Sequence, residues 1–236
     1  MCYHLSNTKK APELEDRFEA RFEDVFSYES HFHLNGFDKK PVYMIPQDED
    51  HLIEPANWGL LPENLENVDD FKRKFNTLNA KCESLFTSNL WKEPIKQRRC
   101  LILADGFFES KHIGKNKYPH YIRLKNKEAF AFAGIYTYHN NGFFSCSIIT
   151  KVANPFMTEI HNSKKRMPLI LDKSIEKDWL NPSCPQSSIE ELIHEGFTKE
   201  QFEAYTVSKD VTNSRVTSDR EDILQPFHYP ELNTLF

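Results

Sequence analysis

Apolar residues recur along this chain with two different periods. Leu14, Phe18, Phe22 and Phe26 return every fourth position, which predicts an amphipathic helix over 12–26 with Pro12 in its first turn. Further helices are predicted at 68–75, 83–97, 154–160, 174–180 and 187–196. Pro94 should kink or stop the second of these, and Gly196 should cap the last. Shorter apolar or alternating runs predict strands at 2–5, 41–45, 51–54, 100–103, 119–125, 129–138, 143–151, 167–171 and 202–207. Asn140-Asn141-Gly142 predicts a hairpin between two of them. Residues 27–40 read as irregular around an Asn35-Gly36 turn, and Lys111–Lys117 as a basic loop.

Strands and helices do not alternate regularly, which predicts an α+β fold rather than a doubly wound sheet. No linker or composition break divides the chain, so a single domain is expected over 1–236, with a loop-rich tail from about residue 209. At 236 residues, 39% of them hydrophobic and with 19 Phe, the chain can bury a large aromatic core. The net charge of −5 shows no global basic field, so any nucleic-acid site must be a local groove.

Five cysteines, with no CxxC pair among them, suggest free thiols in a reducing compartment rather than a disulfide framework or a zinc site. The N-terminal stretch lacks the apolar core of a signal peptide, and no apolar run approaches membrane length. The expectation is a soluble cytoplasmic protein without a membrane segment, bound metal or cofactor.

Several short segments carry more chemistry than packing requires. Cys2 follows the initiator Met1 directly. Without Met1 the chain begins with a 1,2-aminothiol, whose amine can form a Schiff base with an aldehyde and whose thiol can close it to a thiazolidine. The plain alternative is a cysteine in a frayed terminus. Asn79-Ala80-Lys81-Cys82-Glu83 brings an amide, an amine and a carboxylate together, or else simply caps a helix. In Ala104-Asp105-Gly106-Phe107-Phe108-Glu109 an apolar strand turns and ends on a carboxylate flanked by aromatics. Burial there would raise the Glu109 pKa and suit it to proton transfer, whereas a strand end in water would not.

His161 stands at an element junction ahead of Arg166-Met167-Pro168 and could shuttle protons near neutral pH, although most of the ten histidines should be structural. His31 and His33 alternate on one face without partners at metal-binding spacing. Basic groups occur at Lys72-Arg73-Lys74, at Lys96 with Arg98-Arg99, at Lys111–Lys117 and at Lys164-Lys165-Arg166. With aromatics such as Trp58 they could follow a single strand if the fold converges them; singly, each is an ordinary solvated face.

Taken in order, Met1-Cys2, Trp58-Gly59-Leu60-Leu61-Pro62, Asn79 to Glu83, Cys100 to Glu109, His161 with Arg166-Met167-Pro168, and Val207-Ser208-Lys209-Asp210-Val211 with Asn213 resemble the motifs of the SOS response-associated peptidase (SRAP) family. The resemblance spans essentially the whole chain. It implies one domain with a barrel-like, largely antiparallel sheet core flanked by helices. It also implies an abasic site processing protein, monomeric, cytoplasmic and nucleoid-associated during DNA damage, whose partner is single-stranded DNA containing abasic sites.

Carried over residue by residue, the resemblance makes Cys2, Asn79, Glu109 and His161 the catalytic set. Cys2 forms the thiazolidine crosslink after self-processing removes Met1, Asn79 holds its terminus, and Glu109 and His161 handle protons. Lys81, Trp58, Pro62, Thr150 and Arg166 become the DNA-binding set. Tyr3-His4 stands where the family has Gly-Arg, Lys81 replaces an arginine, Asn35-Gly36-Phe37 replaces Asn-Ala-Pro, and Asn162 to Lys165 lengthen the approach to Arg166. Two other functions use the same residues: an N-terminal-nucleophile cysteine peptidase acting on other proteins, and a non-covalent single-strand binder.

Overall fold

A computed structural model describes residues 2–195 and 201–232. Two β-sheets share one core. The chain begins with β1 (His4–Asn7), α1 (Ala11–Phe18), β2 (Arg21–Phe22), β3 (His31–Asn35), β4 (Val42–Pro46) and β5 (Leu52–Trp58), then α2 (Val68–Lys74) and β6 (Asn79–Lys81). After α3 (Pro94–Gln97) come β7 (Arg99–Ala104), β8 (Gly106–Ile113), β9 (Asn116–Leu124), β10 (Phe130–His139) and β11 (Phe143–Val152). The chain closes with α4 (Pro155–Ile160), β12 (Arg166–Pro168), β13 (Ile170–Leu171), α5 (Glu176–Leu180), α6 (Gln186–Glu195) and β14 (Phe202–Thr206).

One sheet has the order β14-β9-β8-β1-β3; the other follows β12-β11-β10-β7-β4-β5-β2. A parallel pairing of β11 with β5 joins the path β5-β4-β7-β10-β11 into a ring, the barrel-like core. The α+β class and the flanking helices agree with the sequence reading.

Strict alternation builds the barrel wall. Cys100, Ile102 and Ala104 of β7 and Phe130, Phe132 and Tyr136 of β10 share one core cluster with Met44, Trp58 and Ile148. Their neighbours Leu101, Leu103, Ala131, Ala133 and Ile135 face the other way, onto Leu14, Trp179 and Leu192 of the helices. Arg99 is fully buried and donates to the carbonyls of Ile95 and Lys96 at the end of α3 and of Trp179 and Asn181 at the end of α5. A cation placed on two helix C-termini satisfies carbonyls that the helices leave open. Arg99 is therefore a structural tie and not part of a basic DNA face.

Four local expectations are corrected. The predicted 12–26 helix ends at Phe18, because Glu19 takes a left-handed conformation (φ 55°) and Phe22 joins β2 beside Ile53; Phe26 is 98% exposed. Most of 83–97 is turn, with α-helix confined to Pro94–Gln97 and a single 3-10 turn at Cys82–Ser84. The short polar run Thr87-Ser88-Asn89 bonds locally, Ser88 Oγ accepting from the Leu90 amide. His31–Asn35 is a strand paired with β1, despite its polar composition. Lys111–Lys117 is not a loop but the end of the β8–β9 hairpin, turned by Gly114 at φ +58°. The predicted Gly196 cap lies outside the described residues.

Candidate active site

The site begins with register. Leu5 pairs with Phe107 and Ser6 with Gly106, so continuing the β1–β8 ladder outward brings residues 2 and 3 alongside Glu109. Alternation in β8 turns Phe108 to the outer cluster with Tyr121 and leaves Phe107 and Glu109 on the inner side, where Phe107 shares a core cluster with Cys2. Three interactions fix this arrangement. Asp105 accepts from Ser6 Oγ (2.6 Å), from the Thr8 amide (3.1 Å) and from the Thr8 hydroxyl, tying the C-terminal end of β1 to the β7–β8 turn. Ser6 Oγ also meets the Tyr121 hydroxyl at 2.9 Å. Gly106 makes room for that ring, since a Cβ there would lie 2.2 Å from the Tyr121 hydroxyl oxygen.

Cys2 is fully buried, with Sγ 3.7 Å from the His4 carbonyl oxygen. Burial, reinforced by Glu109, pushes the thiol pKa far up, so the sulfur rests as a neutral thiol. Asn79 reaches it from β6, which pairs in parallel with β11. Its Nδ2 donates to the Cys2 carbonyl at 2.9 Å. Asn79 Oδ1 is buried without a hydrogen-bond partner among the described residues.

Glu109 is 8% exposed, and desolvation pushes its pKa up to about 8. His161, at the end of α4, lies with Nδ1 3.6 Å from Glu109 Oε2 and 2.9 Å from the Arg166 carbonyl oxygen. A carbonyl can only accept, so Nδ1 carries the proton and Nε2 the lone pair. Desolvation lowers the His161 pKa to about 4. Near neutral pH the two side chains are therefore a carboxylic acid and a neutral imidazole, not an ion pair. Together they hold a proton donor and a proton acceptor within one buried site.

A cavity of about 350 Å³ opens here, lined by Tyr3, His4, Glu109, His112, His161 and Lys164 among others. His120 and His139 are engaged elsewhere, His120 with the Tyr118 carbonyl and His139 with Ser145 Oγ. Among the described residues, no group of three or more His, Cys, Asp or Glu is placed to hold a metal ion.

Of the sequence-derived DNA-binding set, Lys81, Thr150 and Arg166 are brought together across β6, β11 and β12, while Trp58 borders a second cavity. Lys81 is exposed and stands opposite Thr150 in the β6–β11 ladder. Thr150 is fully buried and accepts from Arg166 Nη2 through its carbonyl (2.7 Å) and its hydroxyl (3.2 Å). Arg166 Nη1 also donates to Glu83, so this guanidinium is committed within the protein. Trp58 is 6% exposed and donates Nε1 to the Leu78 carbonyl at 2.9 Å. It forms part of the wall of a second cavity of about 670 Å³, which Phe37, Lys72 and Phe75 also line. Pro62 is half-buried beside it in sequence.

Other supporting residues were not singled out from the sequence. Asp219, in the tail, accepts from His31 (2.8 Å), from the Phe32 and His33 amides (2.9 and 3.2 Å) and from Lys40 (2.7 Å). His33 in turn meets Ser218 Oγ at 2.6 Å and His4 at 2.9 Å, so the tail, β3 and β1 form one network. Asn162 bridges to the backbone of His112. The signal for Asn162 was the inserted segment itself; Asp219 had none, because its partners are more than 170 residues away.

The profile of the SOS response associated peptidase (SRAP) family matches residues 1–214. The chain belongs to the SRAP family. It is 32% identical over 214 residues to the abasic site processing protein YoqW of Bacillus subtilis (strain 168), spanning 87% of this chain and 93% of that one. It is 30% identical over 169 residues to the abasic site processing protein HMCES of Gallus gallus, spanning 61% of this chain and 49% of the chicken protein. A crystal structure of a Bacteroides thetaiotaomicron protein superposes with a TM-score of 0.85 at 30% identity, covering 96% of this chain and 100% of that one. The SRAP architecture thus accounts for the barrel and for the convergence of β1, β6, β8 and α4 at Cys2.

Proposed function

We propose that this SRAP protein captures abasic sites in single-stranded DNA through Cys2, after its own removal of Met1. The observation that carries this reading is Cys2 held by Asn79 beside the buried Glu109–His161 pair. While Met1 is present the Cys2 nitrogen is an amide and cannot attack. Hydrolysis of the Met1–Cys2 bond frees an amine on the same residue as the thiol.

The amine then adds to the C1′ aldehyde of the ring-opened sugar. Loss of water gives an imine; the thiol adds to the imine carbon as its proton passes to nitrogen, closing a thiazolidine. The net change is aldehyde plus aminothiol to thiazolidine plus water. Glu109, largely protonated near pH 7, can protonate the departing hydroxyl and then take a proton back as carboxylate. His161 offers Nε2 as acceptor for the sugar hydroxyl during ring opening.

Cys2→Ala should leave no heat-stable adduct with an abasic oligonucleotide. Cys2→Ser should give an imine that borohydride traps, but no thiazolidine. A heat-stable adduct formed by Cys2→Ala contradicts the assignment.

A further inference from the structure

The mouth of the cavity lined by Glu109 and His161 is built by two segments, the end of the β8–β9 hairpin and the turn after α4. Asn162 pins them together: its Oδ1 accepts from the His112 amide at 2.9 Å and its Nδ2 donates to the His112 carbonyl at 2.8 Å. An amide side chain bonded to both groups of one residue acts like a rung of a β-ladder and fixes the separation of the segments.

Each segment contributes an exposed lysine to the wall, Lys117 from the hairpin and Lys164 from the turn. Lys117 stands directly opposite His112 in the β8–β9 register, which places these groups on one rim. Among the described residues neither lysine is drawn into an ion pair. Among the described residues Glu109 is the one carboxylate lining the cavity, and burial keeps it largely uncharged near neutral pH. The mouth is therefore cationic and the floor is not anionic, a field that favours a negative group at the rim and a neutral one below it.

The geometry points to Lys117 and Lys164 as a two-lysine clamp for the phosphodiester adjoining the abasic sugar. This assignment rests on the abasic-site reading of the cavity below. Lysine ammonium groups act as point charges that follow a phosphate without fixing its orientation. Positioning of the sugar is thereby left to Asn79, Glu109 and His161.

The test is equilibrium binding of a single-stranded oligonucleotide carrying a tetrahydrofuran abasic analogue, measured across a range of salt. The analogue has no aldehyde, so the clamp is tested separately from the Cys2 chemistry. The double variant Lys117→Ala/Lys164→Ala should bind roughly tenfold more weakly. Its log–log salt slope should be shallower by about 0.7 for each phosphate it no longer neutralises. Lys117→Arg/Lys164→Arg should restore both quantities. Lys177→Ala, which removes a lysine paired with Glu19 outside this cavity, should change neither.

Wild-type affinity and slope in the double alanine variant overturn the clamp, as does an equal loss in Lys177→Ala. Absence of a covalent adduct with a true abasic strand, despite normal analogue binding and a normal salt slope, instead strikes the covalent reading and leaves the clamp supported.

Discussion

In the proposed mechanism Glu109 serves the chemistry at a cost to stability. Its carboxyl is protonated in the folded protein up to about pH 8, whereas the unfolded chain releases that proton near the ordinary glutamate value. Between those values the folded state binds more protons than the unfolded one, so stability falls as pH rises through the window. Glu109→Gln should remove that fall, and chemical denaturation at pH 5 and pH 8 should show a smaller difference for the variant than for the parent. The same substitution should slow adduct formation and Met1 removal. Unchanged rates of both would separate Glu109 from the chemistry. Phe107-Phe108-Glu109 left Glu109 either buried among aromatics or at a strand end in water, and the fold buries it. Its approach to His161 was not legible, because the two lie far apart in sequence and meet only where α4 packs against β8.

At the scale of elements, readable and unreadable segments divide by what holds them. β7 and β10 are continuous apolar runs buried on both faces, so composition alone marks them as core strands. β3 and the end of the β8–β9 hairpin carry His and Lys, and are strands because β1 and Gly114 impose pairing and a turn. The helix predicted at 83–97 is mostly turn, and within it Ser88 Oγ accepts from the Leu90 amide. Asp105-Gly106 looked like a simple turn, yet it anchors β1, the strand that follows Cys2. Gly106→Ala would force a methyl group against the Tyr121 hydroxyl, at an expected cost of about 1–3 kcal/mol. Urea unfolding checks this, and a midpoint equal to the parent's would show that Tyr121 gives way freely.

Across the whole molecule, barrel closure by β11 and β5 and the Asp219 network, which reaches β1 through His33 and His4, join segments distant in sequence. No local pattern could announce either, since both depend on partners far apart in sequence. What the sequence did carry was the ordered set of short motifs, and the fold assembles Cys2, Asn79, Glu109 and His161 from four of them. Arg166, Thr150 and Trp58 are engaged in internal contacts, whereas Lys117 and Lys164 at the cavity mouth are exposed. The central claim is that the reactive group is the aminothiol of Cys2 as the first residue. Intact-mass spectrometry of the protein before and after mixing with an abasic oligonucleotide tests it most directly. The account predicts a protein lighter by one methionine, then a single species heavier by one oligonucleotide less one water. An adduct on protein that retains Met1, or no adduct on protein that has lost it, would contradict the account.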